Sequence, residues 1–118
     1  MRRYKDNVIV SMTFEFALGI IEFTDDLRDV RRFALADQII RSGCSIGANV
    51  RESQGAESKA DFIHKMKVAL KEAEETEYWL ELCEFSRKLQ KPGKLLPEVE
   101  SIIKVLNKII TTSKRSLK

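Results

Sequence analysis

The chain has 118 residues, the size of one domain, and a formal net charge of +3 with a sequence pI of about 8.9. That balance is too mild to argue for nucleic acid on its own. No run approaches the ~20 apolar residues of a membrane-spanning helix. Charged residues make up 33% of the chain, while prolines number two and glycines five, so the composition predicts long amphipathic helices with salt-rich outer faces.

The first helix is expected over about residues 5–23. Val8, Met12, Phe16, Ile20 and Phe23 recur at spacings of three and four. Ile9, Phe14, Leu18 and Ile21 widen that stripe beyond one neighbour's worth of burial. Thr24, Asp25 and Asp26 read as a polar break. The second helix is expected over 31–54 on Leu35, Ile39, Ile46 and Val50, with Gly55 as a left-handed residue beyond its end. The third, over 58–89, opens on a capping box of Ser58 and Asp61. Phe62, Met66, Ala69, Ala73, Leu80 and Cys83 continue its stripe. Lys91-Pro92-Gly93-Lys94 is a turn. The fourth, over 97–113, begins near Pro97 and carries Val99, Ile102, Ile103, Leu106, Ile109 and Ile110. Short connections between long helices predict one domain, an all-α antiparallel up-down-up-down four-helix bundle.

Within the second helix, Arg41-Ser42-Gly43-Cys44-Ser45-Ile46-Gly47-Ala48-Asn49 is a run of small residues. Each glycine costs up to about 1 kcal/mol in a helix interior, so something must offset it. Gly43 and Gly47 share one face, and Ser42, Ser45 and Asn49 share another. Close helix approach, with the polar side chains hydrogen-bonded inside the bundle, is the expected reason. Asn49 is expected to be structural. A small-molecule or phosphate pocket is the alternative reading, while a phosphate-binding glycine loop is disfavoured by the lack of a preceding strand and of a following Gly-Lys-Ser/Thr.

Chemistry-bearing patterns are sparse. His64 is the single histidine, and no Glu-x-x-His pair supports a di-metal bundle. Cys44 and Cys83 lack CxxC spacing and read as reduced, buried thiols of a cytoplasmic protein. No secretory leader pattern is visible. Neither catalysis, a cofactor nor a metal is expected. The acidic run Glu72, Glu74, Glu75, Glu77, Glu81 and Glu84 is expected to be solvated or to bridge subunits, with Trp79 as a core or interface anchor. The ends are basic. Arg2, Arg3 and Lys5 open the chain, and Lys104, Lys108, Lys114, Arg115 and Lys118 close it, with no acid after Glu100. These eight residues are the candidate nucleic-acid contacts.

Gln38, Arg41, Ser42, Ser45, Ile46, Ala48, Asn49, Val50 and Glu52, followed by Ser58, Asp61 and Phe62, form a spaced pattern. It resembles the four-helix-bundle proteins encoded within intervening sequences of bacterial 23S ribosomal RNA genes. The likeness covers about residues 33–83 by motif and the whole chain by helix order. Two departures mark a divergent branch. Arg51-Glu52-Ser53-Gln54 stands where many members have Ala-Glu-Gly, and a Phe-Pro after the first helix is missing. The resemblance implies a closed ring of identical subunits, typically five. At the level of fold alone it extends to the accessory variability proteins of diversity-generating retroelements, basic barrels that bind nucleic acid and a reverse transcriptase. Itself, RNA or DNA, and a protein are thus the expected partners, with no membrane. The competing reading is a protein-interaction adaptor with no nucleic-acid role.

Overall fold

The computed structural model describes residues 4–117. Four α-helices follow one another: α1 (Val8–Asp29), α2 (Phe33–Ser53), α3 (Lys59–Phe85) and α4 (Leu95–Arg115). Cross-helix neighbours give the topology. Ser42 meets Thr76 while Ser53 meets Met66, so α2 and α3 run antiparallel. Gly43 lies against Ile20 and Gly47 against Thr13, so α1 and α2 do too. Gly19 approaches Leu95 to close the ring of helices between α1 and α4. The result is a rod 49 × 28 × 21 Å in extent, and the up-down-up-down bundle expected from the sequence is present.

One core runs the length of the rod. Phe16, Ile20 and Leu27 of α1, Ile39 and Ile46 of α2, Met66 and Leu80 of α3, and Ile102 and Leu106 of α4 are fully enclosed. Burying each such side chain contributes about 1.5–3 kcal/mol. The apolar stripes read from the sequence are therefore mostly the core faces, with Val8, Leu18 and Ile21 of α1 left exposed.

The helix ends differ from expectation in several places. α1 starts at Val8 rather than Lys5, because the Asn7 side chain caps it by accepting from the Val10 N–H at 3.2 Å. It then runs through Thr24, Asp25 and Asp26 instead of breaking there. Thr24 is buried, with its hydroxyl donating to the Ile21 carbonyl at 3.0 Å, and Leu27 carries the stripe one turn further. α1 stops where the Arg31 N–H bonds Arg28 and the Arg32 N–H bonds Leu27, both at 2.9 Å. This is a Schellman ending, and it places Arg31 in the left-handed region at φ 66°.

α2 ends without a left-handed glycine. Gln54 is right-handed, and the Gly55 N–H makes a short-range bond to Glu52 at 3.1 Å. α3 ends at Phe85, four residues short of Leu89, since Ser86 turns extended. The Lys91 ammonium then donates to the Glu84 and Ser86 carbonyls, both at 2.7 Å, which satisfies acceptors the helix leaves open. At its start, Ser58 accepts from the Asp61 N–H at 3.0 Å, but Asp61 reaches back to the Glu57 N–H rather than to that of Ser58. Pro97 falls in the first turn of α4, as its missing N–H favours.

Two stability measurements test this account. A methyl at Gly43 would lie 2.9 Å from two γ-carbons of the enclosed Ile20, so Gly43→Ala is expected to destabilise the bundle by about 1–3 kcal/mol in urea unfolding. An unchanged midpoint would show that the helices are not held so close. Arg31→Gly relieves a left-handed side chain that costs about 1–2 kcal/mol, less the greater chain entropy of glycine. A net gain of up to about 1 kcal/mol is expected, and a lower melting temperature would contradict the assigned ending.

Candidate nucleic-acid interface

The polar side of α2 comes first, because it positions the surfaces that flank it. Ser42 is buried and hydrogen-bonded to the Thr76 hydroxyl of α3 at 2.9 Å. Arg41 forms ion pairs with two α3 carboxylates, Glu72 at 3.2 Å and Glu75. Ser45 lies 3.4 Å from the same Glu72 oxygen, and the Trp79 indole N–H donates to Glu75 at 3.1 Å. The acidic run was expected to be solvated or to bridge subunits, but Glu72 and Glu75 are paired within the chain. They lock α3 to α2 within one chain. Asn49 makes a local bond to the Ser45 carbonyl at 2.8 Å. Glu52 is exposed near the end of α2. Among the described residues, no buried side-chain polar atom lacks a partner.

The opposite side of α2 is apolar and faces α1. A shallow cavity of about 210 Å³ lies there, lined by Phe14, Ala17, Cys44, Gly47, Ala48 and Arg51. The Arg51 guanidinium stacks over the Tyr4 and Phe14 rings at 5.2 and 5.7 Å, so this departure from the expected motif is absorbed by two aromatics. Both cysteines are free thiols. Burial pushes Cys44 up, and it pushes Cys83 up to about 11 against a small opposing effect of Lys91. Neither is disposed to ionise as a nucleophile. His64 is exposed on α3. No three metal-ligating side chains come together among the described residues.

The basic candidates gather on α4. Lys104, Lys108, Lys114 and Arg115 are all exposed, and none takes part in an ion pair among the described residues. Lys5 is exposed at the same end of the bundle, where α1 begins and α4 ends. Arg2, Arg3 and Lys118 lie outside the described residues. Sequence reading missed Lys67 of α3. The approach and like charge of the Lys67 ammonium hold the Lys114 ammonium below its ordinary value, with a smaller effect of burial. The spacing of α3 and α4 along the sequence gives no sign of that pairing.

Further along the same pair of helices the sign reverses. Glu77 is pushed up, first by burial and then by Glu81, Glu100 and Glu74. A basic half and an acidic half thus lie along the α3–α4 side of the rod.

A compact antiparallel bundle with an intrachain polar seam and a basic face on its last helix belongs to the class of small all-helical proteins. Within it, the chain is a member of the 23S rRNA-intervening sequence protein family, whose model matches residues 5–108. It is similar to a solved protein of unknown function from the S23 ribosomal protein family of Bacteroides thetaiotaomicron. That likeness has 41% identity and a TM-score of 0.81, covering 86% of this chain and 97% of the other. No curated protein matches the sequence. No helix among the described residues is long and apolar enough to cross a membrane.

The acidic half makes a pH prediction. A carboxyl whose folded pKa lies above its unfolded value holds its proton more tightly when folded. Its penalty is absent in acid and appears as pH rises through the carboxylate range. Glu77→Gln is therefore expected to stabilise the protein by a few tenths of a kcal/mol at pH 7, and to change nothing at pH values where Glu77 is already protonated. Unfolding curves at the two pH values check this, and equal effects at both would contradict the repulsion.

Proposed function

We propose that this chain is a non-catalytic, homo-oligomeric bundle protein that binds RNA or DNA through the basic face of α4. One observation carries the nucleic-acid part. From Ser101 to Leu117 the chain holds no acidic residue, and the exposed Lys104, Lys108, Lys114 and Arg115 are left unpaired by the rest of the described chain. Cations so placed favour phosphate contacts. Assembly repeats that face around a symmetry axis, so that modest single-subunit charge adds up.

The oligomeric part is supported by apolar side chains the single bundle leaves outside. Leu18 and Ile21 of α1, Val30 and Phe33 at the first turn, and Tyr78, Leu82 and Phe85 of α3 are exposed, Phe85 at 82%. Of these, Leu18 and Ile21 are two of the four residues that widened the apolar face of the first helix in the sequence, whereas Ile9 is buried and Phe14 half-buried. Family membership favours a ring of identical subunits, five by the resemblance given above.

A second reading draws on α3. Tyr78, Leu82 and Phe85 fall at i, i+4 and i+7 beside Glu74, Glu81 and Glu84, all exposed. An acidic-apolar face of this kind suits a basic protein partner, which would make the chain an adaptor.

Light scattering of nuclease-treated protein, with and without ribosomal RNA fragments, separates these readings. A multi-subunit mass that rises with RNA and falls back with added salt is expected. Lys104→Glu combined with Lys108→Glu and Arg115→Glu should reduce RNA affinity at least about tenfold, since each lost phosphate contact also lowers the salt slope by about one, while leaving the mass of the free protein unchanged. An oligomer indifferent to RNA would favour the adaptor, and a monomer would overturn the assembly.

A further inference from the structure

We infer that the groove between α1 and α2 takes the exposed apolar stripe of α3 from a second copy of this chain, so that subunits join head to tail. This rests on the oligomeric reading above and adds the two surfaces that meet.

The groove is concave and apolar. Phe14, Ala17, Leu18 and Ile21 fall at i, i+3, i+4 and i+7 of α1, which places them on one side of the helix. Cys44, Gly47, Ala48 and Arg51 repeat that spacing on the adjoining side of α2. The small residues among them leave the cavity of about 210 Å³, and the exposed Leu18 and Ile21 continue the apolar side of α1. No charged residue occurs from Phe16 to Ile21 or from Ser42 to Val50. Among the described residues that line the cavity, Arg51 alone is charged, and it is exposed.

The cavity is small for a free ligand. Small-molecule sites run to about 300–1,000 Å³ and converge several polar groups on their occupant. Here the Thr13 hydroxyl donates to the Ile9 and Val10 carbonyls at 2.8 and 3.2 Å. The groove suits instead the side chains of a helix, which dock at i, i+4 and i+7.

This chain presents such a helix. Tyr78, Leu82 and Phe85 have that spacing on α3 and are exposed. They span about 10 Å, as does the α1 stripe from Phe14 to Ile21. Glu74 and Glu81, both exposed, flank them, opposite in sign to Arg51. Like surfaces do not match in this way. Groove against groove would set Arg51 toward its own copy. Stripe against stripe would set Glu74 and Glu81 among their own copies, and such like-charge pairing is unfavourable. Groove against stripe joins a concave apolar surface to protruding side chains and a cation to carboxylates. The contact is heterologous, so each subunit uses one groove and one stripe, and a ring forms where the rotation closes.

The test is light scattering of two full-length variants, alone and mixed. Ala48→Glu places a carboxylate in the groove. Leu82→Glu with Phe85→Glu removes the stripe. All three positions are exposed, and unchanged circular dichroism checks the fold. Each variant alone is expected to fall to the mass of one subunit. An equal mixture is expected to reach two subunits and no more, because the intact groove of one takes the intact stripe of the other while the remaining surfaces are both blocked. Ile21→Glu and Tyr78→Glu repeat the pairing at independent positions should either first variant fail to fold.

A full oligomer mass in either variant would remove that surface from the interface. A mixture that stays at one subunit, or variants that each stop at dimers, would overturn the head-to-tail pairing while leaving assembly itself in place. A monomeric unmodified chain would overturn the underlying reading as well.

Discussion

Helix α2 must serve two neighbours of opposite character, and the rest of the bundle is arranged around that demand. Toward α1 it offers no side chain at Gly43 and Gly47, so that Ile20 and the Thr13 backbone come to within van der Waals distance of where a methyl would be. Toward α3 it offers Arg41, Ser42 and Ser45, which reach Glu72, Glu75 and Thr76. The glycine cost of about 1 kcal/mol each is offset by the contacts of close approach. The hydroxyl pair adds about 1 kcal/mol. The half-exposed Arg41 adds less than its two carboxylates suggest, because solvent screens it.

With α2 fixed in this way, the functional surfaces fall elsewhere. The basic face belongs to α4 and the edge of α3, and the apolar surplus to α1 and the distal half of α3. The two surfaces are spatially separate. The acidic cluster around Glu77 lies on the same pair of helices as the lysines.

Much of this was legible in the amino-acid pattern. Core faces followed from spacing, and the small-residue run correctly announced close approach on one face and internal hydrogen bonding on the other. Local chemistry was less transparent. Thr24-Asp25-Asp26 reads as a break, yet a threonine can bond its own helix and a buried Leu27 can draw the helix onward. Gly55 reads as a left-handed terminator, while an arginine at position 31 took that conformation. The pairs Arg41–Glu75 and Lys67–Lys114 join residues 34 and 47 positions apart. Such pairings depend on helix register, which periodicity within one helix does not contain. Residues of the candidate interface were found by sign and position alone, and so the α3 contribution was missed.

The α2 sequence also fixes how far the helix can slide. If α2 moved by one turn so that each residue took the place of the one four before it, Gly47 would fit where Gly43 stands. Arg51 would then have to replace Gly47 against Thr13. Ile46 would replace Ser42 opposite Thr76, and Ser45 would replace Arg41 opposite Glu72 and Glu75. An arginine would be forced into a contact sized for hydrogen, Thr76 would lose its partner on α2, and the partly exposed Glu72 and Glu75 would lose Arg41. Uniform apolar stripes allow helices to shift past one another by a turn with little penalty, since one leucine resembles the next. Here the alternation of glycine and polar side chains along a single helix acts as the notches of a key, admitting one axial alignment of the bundle.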